Sequence, residues 1–254
     1  MRVLIFGGLG NQTEYFENMI QTCNRYGLDV TTVDIHELDP IHIDSLVYNF
    51  ILSCKDIQSA VVGFSSSCYV VAQAFAMHKS PNSRLLLIDP PYILAPGELP
   101  RMDGLHTYYY DSNKDVEIPK KLRSHILRIL APDTITMVFY RFLNMCLPLQ
   151  WVLWATMSRY TPWQVDHVIY SMPIRDLQHF LTRFILKVDP VCIIEDVDPS
   201  CSHILVTKYP LSRGFIEKRR VQCVTYTDTD HHILLKNPDI VCSTLNALLA
   251  TSTP

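Results

Sequence analysis

The sequence predicts an α/β protein built on a doubly wound, mostly parallel sheet of about six strands, with a helical insertion. Three observations lead there. Short apolar, largely β-branched runs occur without polar alternation, as in strands buried on both faces. Helical patterns fill the gaps between the first four runs, giving β-α-β-α-β-α-β, and right-handed crossovers then wind the sheet. After Asp89-Pro90-Pro91-Tyr92 this rhythm stops for about a hundred residues rich in leucine, aromatic residues and proline.

The predicted strands are Val3 to Phe6, Val30 to Val33, Ala60 to Phe64, Leu85 to Ile88, Ile204 to Thr207 and Val221 to Tyr226. Helices are predicted over Thr13 to Tyr26, Ile43 to Cys54, Cys68 to Met77 and Pro238 to Leu249. Pro119, Pro132, Pro148, Pro162 and Pro173 suit helix starts or kinks, so several short helices are expected between Ile118 and Val188. This divides the chain into a core, 1–94 and 190–254, and a cap, 95–189. Within the cap, Phe142 to Ala155 is apolar, but Asn144, Pro148 and Gln150 interrupt it. Its runs fall far short of the roughly 20 residues a membrane span needs, so it reads as helices packed on the core. As a lid, their inner face would line an apolar pocket.

Composition narrows the function. With 254 residues and 48% hydrophobic content the chain can bury one sizeable core. A formal charge of −3 offers nothing to neutralise a phosphate backbone, and basic residues cluster only at Lys120-Lys121 and Lys218-Arg219-Arg220, which argues against a nucleic-acid partner. The 8 cysteines form no Cys-x-x-Cys pair and no zinc-like spacing with histidine, so no metal is expected and they read as buried thiols of a reducing compartment. The opening Met1 to Gly8 looks like a strand rather than a signal peptide, and a cytoplasmic location is the resulting expectation. The sequon Asn11-Gln12-Thr13 falls in a loop assigned to the site and is taken as incidental.

The most informative stretch is Ser59 to Ala76, where an apolar run ends in Gly63-Phe64-Ser65 and an apolar-periodic helix follows at once. A serine on such a strand-to-helix turn projects its hydroxyl at the carboxyl end of the sheet, beside the amides that open the helix. The usual Gly-x-Ser-x-Gly pattern ends here in Ser67, and three serines also suit a plain helix cap. A serine nucleophile needs a base, oriented by a third group. Thr229-Asp230-His231-His232 places two histidines just ahead of the last helix, where solvated surface residues are the bland alternative.

These residues, with the glycine-rich Gly7-Gly8-Leu9-Gly10 after the first strand and the cap-sized insertion, resemble the α/β-hydrolase superfamily over nearly the whole chain. The resemblance implies Ser65 as nucleophile and His231, the first histidine of its loop, as base. It also implies an oxyanion hole made by the amides of Ser66 and Leu9. Many members carry the acid after the strand that follows the cap, but Lys208 to Gly214 is read as a loop without a carboxylate. Asp196 and Asp198 precede that strand and would sit at the wrong end of the sheet. A branch that takes its acid from the end of the strand after the nucleophile helix points to Asp89, whose bland alternative is a turn residue before Pro90-Pro91. That layout is similar to the thioesterase domains and type II thioesterases of fatty-acid, polyketide and peptide synthesis. It implies an acyl substrate, on coenzyme A or an acyl-carrier protein, and no cofactor.

Other readings compete. Oxygen-ester hydrolysis by a carboxylesterase or lipase fits the same residues. The Ser67 departure and the missing late acid suit a non-catalytic protein that binds a lipid or a partner. Gly7-Gly8-Leu9-Gly10 with Asp34 imitates a dinucleotide-binding start, although Thr13 stands where its third glycine belongs. Tyr110 and Lys114 have the spacing of short-chain reductases, but turn-forming residues lie between them.

Overall fold

The computed structural model describes residues 1–8, 16–35, 40–91, 190–219 and 221–250. They belong to a unit that takes in Met1–Tyr92 and Asp189–Pro254. The expected cap over 95–189, the Tyr110 and Lys114 pair, and Leu9 lie outside the described residues.

Chain order over the described residues is β1 (Arg2–Phe6), α1 (Glu17–Arg25), β2 (Asp29–Val33), α2 (Pro40–Ser53), β3 (Ser59–Phe64), α3 (Cys68–His78) and β4 (Ser83–Ile88). There follow α4 (Pro190–Glu195), β5 (Ser202–Val206), α5 (Pro210–Glu217), β6 (Val224–Tyr226), α6 (Ile233–Lys236) and α7 (Pro238–Ala250). The strands form one 6-stranded sheet in the order β2-β1-β3-β4-β5-β6, and every pairing is parallel. The chain leaves β1 toward one edge and returns to its other side as β3. The switch point between β1 and β3 is where a doubly wound sheet opens a crevice at the carboxyl ends of its strands.

The central strands are apolar because both faces are covered: every residue of β3 and of β4 is buried. The edge strand β2 exposes Asp29 and Thr31. α1 buries Met19, Thr22 and Cys23, three and four residues apart on one face. α3 is apolar almost all round, burying Cys68, Tyr69, Val70, Val71, Ala72, Ala74 and Phe75, because it lies between the sheet and α2.

Several elements differ from expectation: β4 starts two residues early at Ser83, α2 three early at Pro40, and the short helices α4 and α6 are additional. β5 begins two residues early, since Ser202 and His203 pair with Leu85 and Leu86, and it ends at Val206, leaving Thr207 outside the ladder. β6 keeps only Val224–Tyr226, as an edge strand with one neighbour to hold it. The segment read as a loop over Lys208 to Gly214 becomes helix α5 from Pro210, supported by an Arg213–Glu217 ion pair at 2.8 Å one turn apart.

Candidate active site

Ser65 follows β3 directly and opens the 3₁₀ turn Ser65–Ser67 that leads into α3. Its φ of 54° and that of Asp89, 51°, are the positive values among the described non-glycine residues. Left-handed backbone at a side-chain-bearing residue costs on the order of 1–3 kcal/mol and persists only where its surroundings enforce it. At Ser65 the enforcement comes from close helix–strand packing. A Cβ added to Gly63 would lie 2.9 Å from the Cα of Cys68 and 3.3 Å from Val71 Cβ, so only glycine lets α3 start this close to β3. The Cys68 thiol lies 3.2 Å from the Gly63 carbonyl and 3.4 Å from that of Ile88, joining the ends of β3 and β4.

Asp89 caps β4 and is fully buried. Its amide donates to the Leu205 carbonyl at 2.9 Å, which extends the sheet by one bond. The chain then turns away through Pro90 and Pro91, whose carbonyl accepts a hydrogen bond from the Tyr69 hydroxyl of α3. The carboxylate receives the Thr207 amide on Oδ1 at 2.7 Å and the Thr207 hydroxyl on Oδ2 at 2.5 Å.

His231 joins these two residues. Its Nδ1 lies 2.9 Å from Asp89 Oδ2, and its Nε2 lies 3.1 Å from Ser65 Oγ. Because an ionised carboxylate only accepts, the Nδ1 proton donates to Asp89, and Nε2 keeps a lone pair for the serine proton. The imidazole is buried and stacks on Tyr209, with ring centroids 3.9 Å apart, and on Phe64 at 4.9 Å. Its loop is fixed from the next turn: the His232 amide donates to Asp230 Oδ1 at 2.9 Å while Lys236 donates to Oδ2 at 2.5 Å.

The neighbouring histidine has a different environment. Burial, then the charges of His231 and Lys236, push the His232 imidazole down to about 2, so it stays neutral throughout the range in which a base works. Ser65 and Asp89, expected from the sequence as nucleophile and acid, thus each lie within hydrogen-bond reach of His231, expected as the base. Ser66 sits next to Ser65 in the turn that opens α3.

Solved structures resemble the chain along almost its whole length. An extracellular α/β-hydrolase from a Paenibacillus species is 12% identical over 97% of this chain and 98% of its own, with a TM-score of 0.53. A bromoperoxidase from Bacillus anthracis is 12% identical over 98% of this chain and 91% of its own, with a TM-score of 0.59. The thioesterase domain of the curacin biosynthetic pathway is 10% identical over 97% of this chain and 90% of its own, with a TM-score of 0.55. The chain has the α/β-hydrolase fold. The sequence matches no protein-family model and no curated protein.

Within this hydrolase fold the two departures from pattern acquire physical reasons. Ser67 does not hold α3 away from the sheet. Its hydroxyl is buried, accepts the Phe64 amide at 2.9 Å, and lies 3.1 Å from the Phe6 carbonyl and 3.0 Å from that of Phe64. It therefore pins the ends of β1 and β3 together beneath the serine turn. At the end of β5, where the sequence has no carboxylate, Thr207 reaches Asp89. Asp198, set aside as lying at the wrong end, does so: it pairs with Lys79 at 2.7 Å in the turn ahead of β5.

Thr207, Tyr209 and Phe64 escaped the sequence reading. The available signal was positional, since each falls at or just past the carboxyl end of a strand, where this class of sheet builds its sites. The dinucleotide imitation fares poorly: α1 starts only at Glu17, whose carboxylate in the first turn opposes an anion there.

Proposed function

We propose that the protein is a serine hydrolase that cleaves an acyl thioester or ester through an acyl-enzyme intermediate. The observation that carries the proposal is the unbroken hydrogen-bond chain from Ser65 Oγ through His231 to Asp89, at 3.1 and 2.9 Å. Its members come from three well-separated loops, and a helix cap or a surface histidine pair would have no reason to bring them into register. The hydrolase fold supports the same reading without fixing the substrate.

Ser65 Oγ attacks the acyl carbonyl carbon while its proton passes to His231 Nε2. Asp89 holds the imidazole through Nδ1 and stabilises the imidazolium that forms. The amide of Ser66, with that of Leu9, receives the negative charge of the tetrahedral oxygen, a contribution on the order of 3 kcal/mol per donor. Collapse of that intermediate breaks the bond to the leaving oxygen or sulfur, which takes the Nε2 proton. Water then attacks the acyl carbon, giving its proton to Nε2; collapse breaks the bond to Ser65 Oγ, which takes that proton back as the acid leaves.

A thioesterase-like role is favoured among hydrolases by the acid's origin at the end of the strand after the nucleophile helix, so the proposed substrate is an acyl group on coenzyme A or an acyl-carrier protein. Hydrolysis of p-nitrophenyl esters and acyl-coenzyme A thioesters of graded chain length tests both levels. Activity that Ser65→Ala and His231→Ala each abolish, and that is highest on thioesters, is expected. Turnover of oxygen esters alone would make the protein an esterase, and a folded chain inert on every member of the panel would favour a binding role.

A further inference from the structure

The reading of Ser65, His231 and Asp89 as a triad leaves the buried side chain of Thr207 without a stated part, and this inference rests on that reading. Thr207 is the first residue beyond β5. Having left the ladder, its amide turns to Asp89 Oδ1 at 2.7 Å, and its hydroxyl lies 2.5 Å from Oδ2, the oxygen that also receives His231 Nδ1. The hydroxyl has one proton to give. The Tyr209 amide, 3.0 Å away, donates to Thr207 Oγ1, so that oxygen is already an acceptor and its proton is directed at the carboxylate. The same short segment supplies the ring that stacks on His231.

We infer that Thr207 is the positioning residue of the site: standing at the end of β5, where no carboxylate is available, it clamps both oxygens of Asp89 and so sets the direction in which Asp89 holds His231. Three donors converge on one buried carboxylate, and two of them belong to Thr207. Valine in its place keeps the branched shape and the amide bond to Oδ1 but removes the hydroxyl. Oδ2 is then held by His231 alone, and the carboxylate gains freedom to rotate out of line. A hydrogen bond to a charged group is strong enough that its loss should slow the reaction about tenfold or more.

The test measures the rate at which a fluorophosphonate probe modifies Ser65 in the full chain, by intact mass, with thermal unfolding followed in parallel. Thr207→Val should react about tenfold or more slowly while still folded at the assay temperature, with an unfolding midpoint lowered by the two hydrogen bonds lost with the hydroxyl, and Thr207→Ser, which keeps the hydroxyl, should stay within about threefold of wild type. A residue acting through Asp89 has little left to do once Asp89 is gone. Adding Thr207→Val to Asp89→Ala should therefore change the rate by less than about twofold, whereas a merely structural role would make the two losses multiply. Should valine prevent folding, Thr207→Ser against Thr207→Ala carries the same comparison. An unslowed Thr207→Val, or a loss that multiplies with that of Asp89→Ala, overturns the role of Thr207 and leaves the triad standing. A wild-type protein that takes no probe at Ser65 overturns the triad itself, and this role with it.

Discussion

Replacing Ser67 by glycine would restore the residue that the serine-turn pattern usually carries, and the structure predicts that it harms this protein. The Ser67 hydroxyl takes the Phe64 amide at 2.9 Å and gives its proton to the carbonyl of Phe6 at 3.1 Å or of Phe64 at 3.0 Å. Each such bond is worth about 0.5–1.5 kcal/mol net. Glycine at the start of the helical segment adds about 0.5–1 kcal/mol of backbone entropy. The expected loss is about 1.5–4 kcal/mol for Ser67→Gly, and about 1–3 kcal/mol for Ser67→Ala, which lacks the glycine term. Urea unfolding followed by circular dichroism reads both directly, and the two variants separate the hydroxyl from the backbone contribution. A Ser67→Gly protein as stable as wild type would refute the claim that this hydroxyl ties β1 to β3, and would make Ser67 an ordinary small residue.

Four further outcomes follow from the same geometry. Gly63→Ala pushes a methyl to 2.9 Å from Cys68 Cα, so about 1–3 kcal/mol of stability should be lost in urea and Ser65 should react more slowly with a fluorophosphonate. Asp89→Asn cannot hold the same His231 tautomer and should lower the acyl-transfer rate on the order of a thousandfold or more, read as kcat/KM on an ester. His232 is depressed in the folded state to about 2, so the unfolded chain binds the extra proton first as pH falls. Its share of stability is complete above about pH 6.5 and declines by about 1.4 kcal/mol per unit below it; His232→Gln should flatten the fall in urea stability between pH 6.5 and 5. Among the described thiols, exposed Cys192 should react with maleimide in the native protein, while Cys23, Cys54, Cys68 and Cys242 should react only on unfolding, as read by mass after proteolysis.

Much of this was legible in the sequence because the parts that carry it are local. Short, unbroken apolar runs such as Ala60 to Phe64 and Leu85 to Ile88 suit strands covered on both faces, and the glycine within the third run and the serine after it mark the turn. Asp89 and His231 were legible as positions at strand ends, since a doubly wound sheet gathers those ends on one side. What the sequence hid depends on partners far along the chain. Ser202 and His203 are strand residues because Leu85 and Leu86 lie beside them, not through their own preference. The clamp of Thr207 on Asp89 spans 118 positions, and nothing in the neighbourhood of either residue announces it. Ser67 looked like a defect because its local pattern lacks a glycine, whereas its value lies in the carbonyl of Phe6, 61 positions away.

The central claim is that Ser65 is an activated nucleophile. Wild type and Ser65→Ala, both shown to be folded, would be treated with a fluorophosphonate and weighed intact. The account predicts one adduct on wild type, mapped to Ser65, and none on the variant. No adduct on folded wild type, or an adduct that survives Ser65→Ala, would contradict it.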